Sequence, residues 1–233
     1  QIGLRAAHVP KYELPVPSEI YTSLRADWSA YLAPGLWTTL TEMVLGFVMA
    51  TVLGIGLAIM LHLIAPVRRA VYPLIISSQT VPIVVIAPIL VILLGFGIMP
   101  KLVIVALICF FPIVVNGLDG LGTVDDDFIH MMRTLDASRW SIFRRVEFPA
   151  ALPAIFSGLR IAATFAAIGA VFGEYAGSNQ GLGYVMIQST ANLQTDRIFA
   201  AIFLLTLAAM GLFGVVSLVQ RLVVPWAPRG NAM

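Results

Sequence analysis

The sequence predicts an all-α, polytopic membrane protein, and two observations carry that prediction. Hydrophobic residues make up 59% of the 233-residue chain and charged residues only 11%, whereas a soluble domain carries about 25% charged residues. Apolar runs also recur at the length of roughly 20 helical residues that a bilayer core requires. The net charge of +2 is too small for a nucleic-acid-binding surface, so no nucleic-acid partner is expected.

The apolar runs justify five transmembrane spans, of which the first carries Glu42 and the fourth Arg160. Residues 1–35 are polar, and the chain begins with Gln1 rather than Met, so we expect an upstream segment with a sixth span. The chain then divides into an outward-facing segment (1–35), a transmembrane domain (36–220) and a cytoplasmic tail (221–233). The five runs are residues 37–64, 71–97, 102–118, 152–173 and 198–220.

The placement of Lys and Arg predicts the orientation of the spans. Loops that face the cytoplasm carry an excess of these residues. The side that holds the loops after spans one and three carries most of the arginines, so it is assigned to the cytoplasm together with the C-terminus. These cytoplasmic residues are Arg68, Arg69, Arg133, Arg139, Arg144, Arg145, Arg221 and Arg229.

Several kinds of chemistry are not expected in this chain. It has no GxxxxGK[ST] loop for nucleotide phosphates. Its only cysteine, Cys109, lies in an apolar run, and its histidines, His8, His62 and His130, lie far apart in the sequence. No metal site or cofactor is therefore predicted, and the acids at 125–127 are interpreted as a solvated helix start.

The segment 125–153 predicts a short helix–turn–helix at the membrane surface. Residues 128–135 form the first helix, residues 136–138 the turn, and Ser138 caps a second helix over 139–147 that Pro149 ends. Both helices are apolar on one side. The segment is either an interfacial amphipathic connection between two spans or a docking element for a cytoplasmic partner.

The same segment resembles the coupling loop of ABC importer permeases. That family's pattern is approximately A-A-x-x-L-G-A-S-x(4)-F-x-x-V-x-L-P-x-A-x-P. Met131-Met132 replace the paired alanines, and Asp136 stands where the family normally has glycine. A turn glycine often adopts a positive φ, which Asp tolerates better than most residues. The matching residues are Leu135, Ala137, Ser138, Phe143, Val146, Pro149, Ala150 and Pro153.

The resemblance extends over about 200 residues, toward the permeases for nitrate, sulfonates, taurine, bicarbonate and pyrimidine precursors, which commonly have six spans. It rests on an ordered set of further motifs: Leu14-Pro15-Val16-Pro17-Ser18-Glu19, Pro82, Pro88, Gly95-Phe96-Gly97, Gly158-Leu159-Arg160, Glu174 and Gly181-Leu182-Gly183-Tyr184.

The resemblance implies a type I ABC importer permease in the bacterial inner membrane. Its implied partners are a cytoplasmic ABC ATPase dimer that binds ATP and Mg²⁺, a second permease subunit (identical or related), an external solute-binding protein and membrane lipid. It implies that the loop 125–150 docks on the ATPase, and the residues expected to couple the two are Arg133, Leu135, Asp136, Ala137, Ser138 and Arg139.

A stripe of small residues at four-residue spacing runs along the fourth span and ends at Glu174. Such stripes let helices approach closely in lipid, so the stripe either packs within the chain or lines a subunit interface or the pathway. Glu174 is either hydrated at the span end or part of a gate or docking contact. The small residues are Gly158, Ala162, Ala166 and Ala170.

Prolines interrupt the second and third spans, at Pro73, Pro82, Pro88 and Pro112. Broken helices are tolerated in membranes where protein covers them or where they line a cavity, so these spans are expected beside the pathway. The polar side chains before Pro82 either face the solute or satisfy the broken backbone. They are Ser78, Gln79 and Thr80.

Two other function classes remain open. A channel or secondary carrier would work without an ATPase but should carry coupling-ion carboxylates in mid-span. A structural subunit of a membrane enzyme complex should show cofactor ligands such as paired histidines. The substrate is not predicted.

Overall fold

The structure, a computed structural model, describes residues 14–226, and every regular element in this range is helical. Two π-helical turns lie at Trp28–Leu32 and at Phe143–Glu147. The α-helices are α1 (Pro17–Ala26), α2 (Ala33–Leu63), α3 (Ala65–Ser78), α4 (Ile83–Leu94), α5 (Ile98–Leu121), α6 (Asp126–Thr134), α7 (Arg139–Ile142), α8 (Phe148–Gly177), α9 (Leu182–Ala191) and α10 (Thr195–Val223).

Within the described range, four continuous helical stretches are long and apolar enough to cross a membrane, and they correspond to the first, third, fourth and fifth predicted spans. Each begins before the predicted run, and the last three also end after it. They are Trp28–Leu63, Ile98–Leu121, Arg139–Gly177 and Thr195–Val223.

The second predicted span, residues 71–97, is not one straight helix. It is formed by α3 and α4, which meet at a bend of 102° and provide a fifth span if the pair crosses as one. Pro82 has no N–H for helical bonding and disfavours helical backbone at Val81. The helix therefore stops at Ser78 and restarts at Ile83.

The prediction that Pro149 ends the second helix of the surface segment is also wrong. Pro149 lies in the first turn of α8, where a missing N–H removes no helical bond. The π-helical turn Phe143–Glu147 connects α7 to α8, so that one helical stretch runs from Arg139 to Gly177. The surface segment is thus continuous with a membrane span.

The core forms where α5 packs between α2 and α8. Its fully buried side chains include Met43, Val105, Cys109 and Ile113. Because lipid is as apolar as these side chains, close packing rather than the hydrophobic effect holds such helices together. We call the end of the bundle that carries residues 125–147 the inner end, and the opposite end the outer end.

A second cluster lies at the outer end, where α1 and α9 pack on α10. Arg197 at the start of α10 makes two hydrogen bonds to the Asp27 carboxylate, at 2.9 and 2.7 Å. Its guanidinium also lies 4.2 Å from the centre of the Tyr31 ring. The pair fastens the segment before α2 to α10.

Candidate functional site

The surface segment is built by local capping on both sides of a tight turn. The Asp125 side chain accepts a hydrogen bond from the Asp127 backbone N–H at 2.9 Å and starts α6. The Ser138 side chain accepts one from the Ser141 N–H at 3.2 Å and starts α7. Short oxygen-bearing side chains at these positions satisfy N–H groups that a helix start leaves unpaired.

Asp136 adopts φ = 59° in this turn. This is the left-handed region, which glycine enters without strain and which Asp and Asn tolerate better than other residues. Glycine is the residue that the family pattern has here. The Ala137 N–H then bonds the Met132 carbonyl at 3.1 Å, so the turn closes with Asp in place of glycine.

The turn and the start of α7 display apolar side chains that residues 14–226 leave exposed. Leu135 is 71% exposed and Trp140 61% exposed, and Arg133 in the last turn of α6 is also exposed. Ala137 is half-buried. An exposed apolar patch on a polar segment indicates contact with lipid or with another protein.

Arg139, expected from the resemblance to act in coupling, has a partner inside the chain. Its guanidinium pairs with the Glu147 carboxylate, and the other Glu147 oxygen lies 3.0 Å from His62 Nε2. Glu147 is only 1% exposed. Sequence reasoning missed both His62 and Glu147, because 85 residues separate them. We call His62, Arg139 and Glu147 the inner triad.

At the outer end, Glu174 is 1% exposed rather than hydrated. Thr39 Oγ1 lies 2.6 Å from one carboxylate oxygen and 3.0 Å from the Gly35 carbonyl. The hydroxyl has a single proton, and the shorter contact to the carboxylate takes it. The Thr39 oxygen in turn accepts the Leu182 N–H at 2.9 Å, so α2, α8 and α9 meet at this carboxylate.

The glycines of the 181–184 motif have a direct role at Glu174. The Gly183 N–H donates to the second Glu174 oxygen at the start of α9, where the helix dipole favours a negative charge. A Cβ at Gly183 would lie 2.8 Å from that oxygen, and one at Gly181 (φ +112°) would lie 2.2 Å from the carboxylate. Only glycine allows the backbone to wrap the carboxylate this closely.

A buried ion pair lies beside Glu174. Lys101 Nζ is 2.6 Å from a Glu42 oxygen and 2.7 Å from Ser178 Oγ. Lys101 lies in the first turn of α5. A cavity of about 350 Å³ opens beside this pair. We call Thr39, Glu42, Lys101, Glu174 and Ser178 the outer cluster.

The small-residue stripe of the fourth span is buried against α5 of the same chain. Ala162, Ala166 and Ala170 are each 0% exposed, and a Cβ at Gly158 would lie 2.6 Å from the Pro112 carbonyl oxygen. The small residues of this stripe therefore pack within the chain.

The three polar residues before Pro82 lie at the bend between α3 and α4 and are exposed. Ser78 Oγ donates to the Ile75 carbonyl at 2.7 Å and Thr80 Oγ1 to the Ser77 carbonyl at 2.8 Å. Both hydroxyls therefore satisfy backbone at the break, whereas Gln79 is exposed on the turn. Among residues 14–226, no group of three or more His, Cys, Asp or Glu side chains could hold a metal ion.

The chain is similar to several transport permeases. It is 35% identical over 215 residues to the formylaminopyrimidine transport permease protein ThiX of Halalkalibacterium halodurans, covering 92% of this chain and 86% of that protein. It is 31% identical to the riboflavin transport system permease protein RibX of Chloroflexus aurantiacus, with 97% and 85% covered. For the taurine transport system permease protein TauC of Escherichia coli the values are 29%, 91% and 80%.

A solved structure has the same fold. The MetNI methionine ABC transporter in inward-facing conformations matches with a TM-score of 0.70 over 82% of this chain and 95% of that chain, at 19% identity. The all-α permease fold predicted from the sequence is thereby confirmed. Residues 50–227 match the family described as "Binding-protein-dependent transport system inner membrane component". The chain belongs to that family and is a multi-pass inner-membrane permease subunit of an ABC importer.

Proposed function

We propose that this chain forms half of the translocation pathway for a small solute that an external binding protein delivers, and that a cytoplasmic ATPase drives transport through the segment 125–150. A second permease subunit, identical or related, completes the pathway. The observation that carries the proposal is the uncovered patch at Leu135 and Trp140 on a structured turn.

The patch suits an ATPase surface better than lipid headgroups. The turn is rigid, because two side-chain caps and a closed backbone hydrogen bond fix it, and a rigid apolar projection fits a preformed pocket at low entropic cost. Arg133, Asp136, Ala137 and Ser138 supply the polar rim and shape of this surface, and Arg139 acts from behind it.

Movement of the docked segment reaches the membrane along one helix. Because Arg139–Gly177 is continuous, a tilt at the inner end displaces the outer end of α8 as well. ATP and Mg²⁺ would bind the partner ATPase, whose nucleotide-driven closure would rock two such subunits between inward- and outward-facing states. This requires the inner end to face the cytoplasm and the segment before α2 to face outward.

The outer cluster and the bend between α3 and α4 are the proposed pathway elements. Glu174 would act as a gate that keeps the outer ends of α2, α8 and α9 together until the binding protein docks there. Gln79, exposed at the bend, would face the solute with Ser78 and Thr80 beside it. The relatives carry solutes as different as riboflavin and taurine, so the binding protein would select the cargo.

The test begins with purification of the tagged, full-length protein in mild detergent and mass spectrometry of the proteins that co-purify. Two ATPase chains for two permease chains, with ATP hydrolysis, would support the proposal, and a second permease-like chain would identify a heterodimer. A stable oligomer without an ATPase would contradict it and favour a channel or secondary carrier.

A variant separates docking from membrane insertion. Replacing residues 136–138 with three glutamates should leave insertion intact and abolish ATPase binding. The matched control is Asp119→Glu, an exposed acid at the inner end of α5, which should change nothing. Unaltered ATPase binding in the turn variant would contradict the proposed docking surface.

A further inference from the structure

Glu147 is a fully buried carboxylate that the proposed docking does not explain. A buried charge is tolerated only where charged or polar partners satisfy it. Glu147 has such partners at both oxygens: the Arg139 guanidinium at one, and His62 Nε2 at 3.0 Å from the other. The charge of Glu147 is therefore satisfied by side chains of the same chain.

The donor of the His62 contact follows from the chemistry of the pair. An ionised carboxylate can only accept hydrogen bonds. His62 Nε2 must therefore carry the proton and donate it to Glu147. Arg139 Nη2, 3.2 Å from the same ring nitrogen, then adds a positive charge near the carboxylate rather than a second bond to the ring.

The triad joins the end of α2 to the surface segment. Arg139 directly follows the capped turn at Ser138, and Glu147 ends the π-helical turn before α8. His62 lies in the last turn of α2. Phe143 packs in the same place, 5.3 Å from the Trp140 ring and 6.4 Å from the His62 ring.

The other end of α2 is tied to the same helical stretch. Thr39 on α2 donates to Glu174 near the end of α8 at 2.6 Å. Thr39 and His62 are about 35 Å apart along the helix at 1.5 Å per residue. Helix α2 is therefore hydrogen-bonded to the stretch Arg139–Gly177 at two places. Its outer end contacts Glu174, near the end of that stretch, and its inner end contacts Glu147, near the start.

We propose that His62 and Glu147 are positioning residues, because their hydrogen bond couples α2 to the surface segment. Movement of the docked segment is then carried to the outer cluster by α2 and α8 together, and we call α2 in this role the strut. The inference rests on the proposed function, since it requires an ATPase that moves the segment. Without the His62–Glu147 bond, the segment would still dock, but its movement would reach α2 only indirectly, through the outer contact at Glu174.

The experiment measures movement at the outer end of α2 without a transported solute. Thr41 lines the outer cavity, and its hydroxyl donates to the Trp37 carbonyl of its own helix. The ATPase complex that carries Thr41→Cys is reconstituted in nanodiscs. The rate of labelling by a water-soluble maleimide is compared without nucleotide and after trapping with ATP and vanadate. The parent without Thr41→Cys gives the background from Cys109, which is buried.

We expect a nucleotide-dependent change in the labelling rate that His62→Phe reduces severalfold while ATP hydrolysis continues. His62→Gln keeps an N–H donor for Glu147 and should keep the change, which a purely space-filling role would not predict. Asp119→Asn, an exposed acid outside the triad, should behave as wild type. If His62→Phe does not accumulate, His62→Phe/Glu147→Leu removes the buried charge and reports the same loss.

Equal nucleotide-dependent changes in the wild type and in His62→Phe, or in the double variant, would overturn the strut. So would a wild-type complex that hydrolyses ATP with no change at Thr41→Cys. A wild-type preparation with no ATP hydrolysis would instead overturn the proposed function, and the strut with it.

Discussion

Gly158→Ala tests whether the close contact between α5 and α8 holds the bundle. The new Cβ would lie 2.6 Å from the Pro112 carbonyl oxygen and 2.8 Å from the Asn116 Cβ. Ordinary contact begins near 3.4 Å. Because Pro112 contributes rigid backbone, α5 and α8 must separate by several tenths of an ångström. That separation would loosen the buried contacts of Ala162 and Ala166 as well.

The magnitude follows from two opposing effects. Overpacking of a close contact costs about 1–3 kcal/mol, and replacing a mid-helix glycine by alanine returns about 0.5–1 kcal/mol. The net destabilisation should lie between about 0 and 2.5 kcal/mol, and in a chain of this size each kcal/mol lowers the apparent Tm by about 2–4 °C.

The assay is thermal unfolding in detergent, followed by the fraction of monodisperse protein after heating. The matched control is Gly56→Ala on α2, where nothing lies within 4 Å of the new Cβ, and which should be neutral or slightly stabilising. A Gly158→Ala protein as stable as Gly56→Ala would refute the packing argument.

Three further predictions use the same thermal assay. Asp136→Gly should raise the Tm, because glycine relieves a positive φ that costs other residues about 1–2 kcal/mol; a lower Tm would contradict this. Lys101→Met should destabilise strongly, by about 3–5 kcal/mol, because it leaves Glu42 buried without its cation, and adding Glu42→Leu should restore most of the loss; a Lys101→Met protein with wild-type stability would count against the ion pair. Burial alone would raise the pKa of Asp27, but hydrogen bonds from Arg197 and from Ser23 outweigh it and lower the pKa. The stabilisation by ionised Asp27 is therefore present above its unfolded-state pKa of about 3.9 and disappears as the pH falls through its lower folded-state pKa. The wild-type protein should therefore have a higher Tm than Asp27→Asn at pH 7, and this difference should vanish in acid.

Local features of the site could be predicted from the sequence. The caps at Asp125 and Ser138 and the positive φ at Asp136 depend on residues within a few positions of each other, so their chemistry is visible in the sequence. The apolar runs are equally local, and they gave the spans correctly except at Pro82. There the apolar run continues through Pro82, but the helix is interrupted between Ser78 and Ile83.

Long-range contacts could not be predicted. Glu147 and His62 are 85 positions apart, and Glu42 and Lys101 are 59 positions apart. Their pairing depends on which helices become neighbours, and hydropathy does not encode that. The signal available was indirect: an ionisable residue in or beside an apolar run needs a partner, and Glu42 has no Lys or Arg nearby in the sequence, whereas Glu147 has Arg139 close by.

The positions of the buried charges suggest how one bundle can be both tightly packed and movable. Among the described residues, the buried charged side chains are Glu42, Lys101, Glu147 and Glu174, and they lie at the outer cluster or in the inner triad. Hydrogen bonds there are directional and fix which helix ends stay together. Between them, α5 and α8 touch through small apolar side chains, whose contacts are weak individually and not directional. A tilt of α2 and α8 against α5 would therefore break few directional bonds in the middle of the bundle, while the bonds at the two ends of α2 would keep it attached to α8.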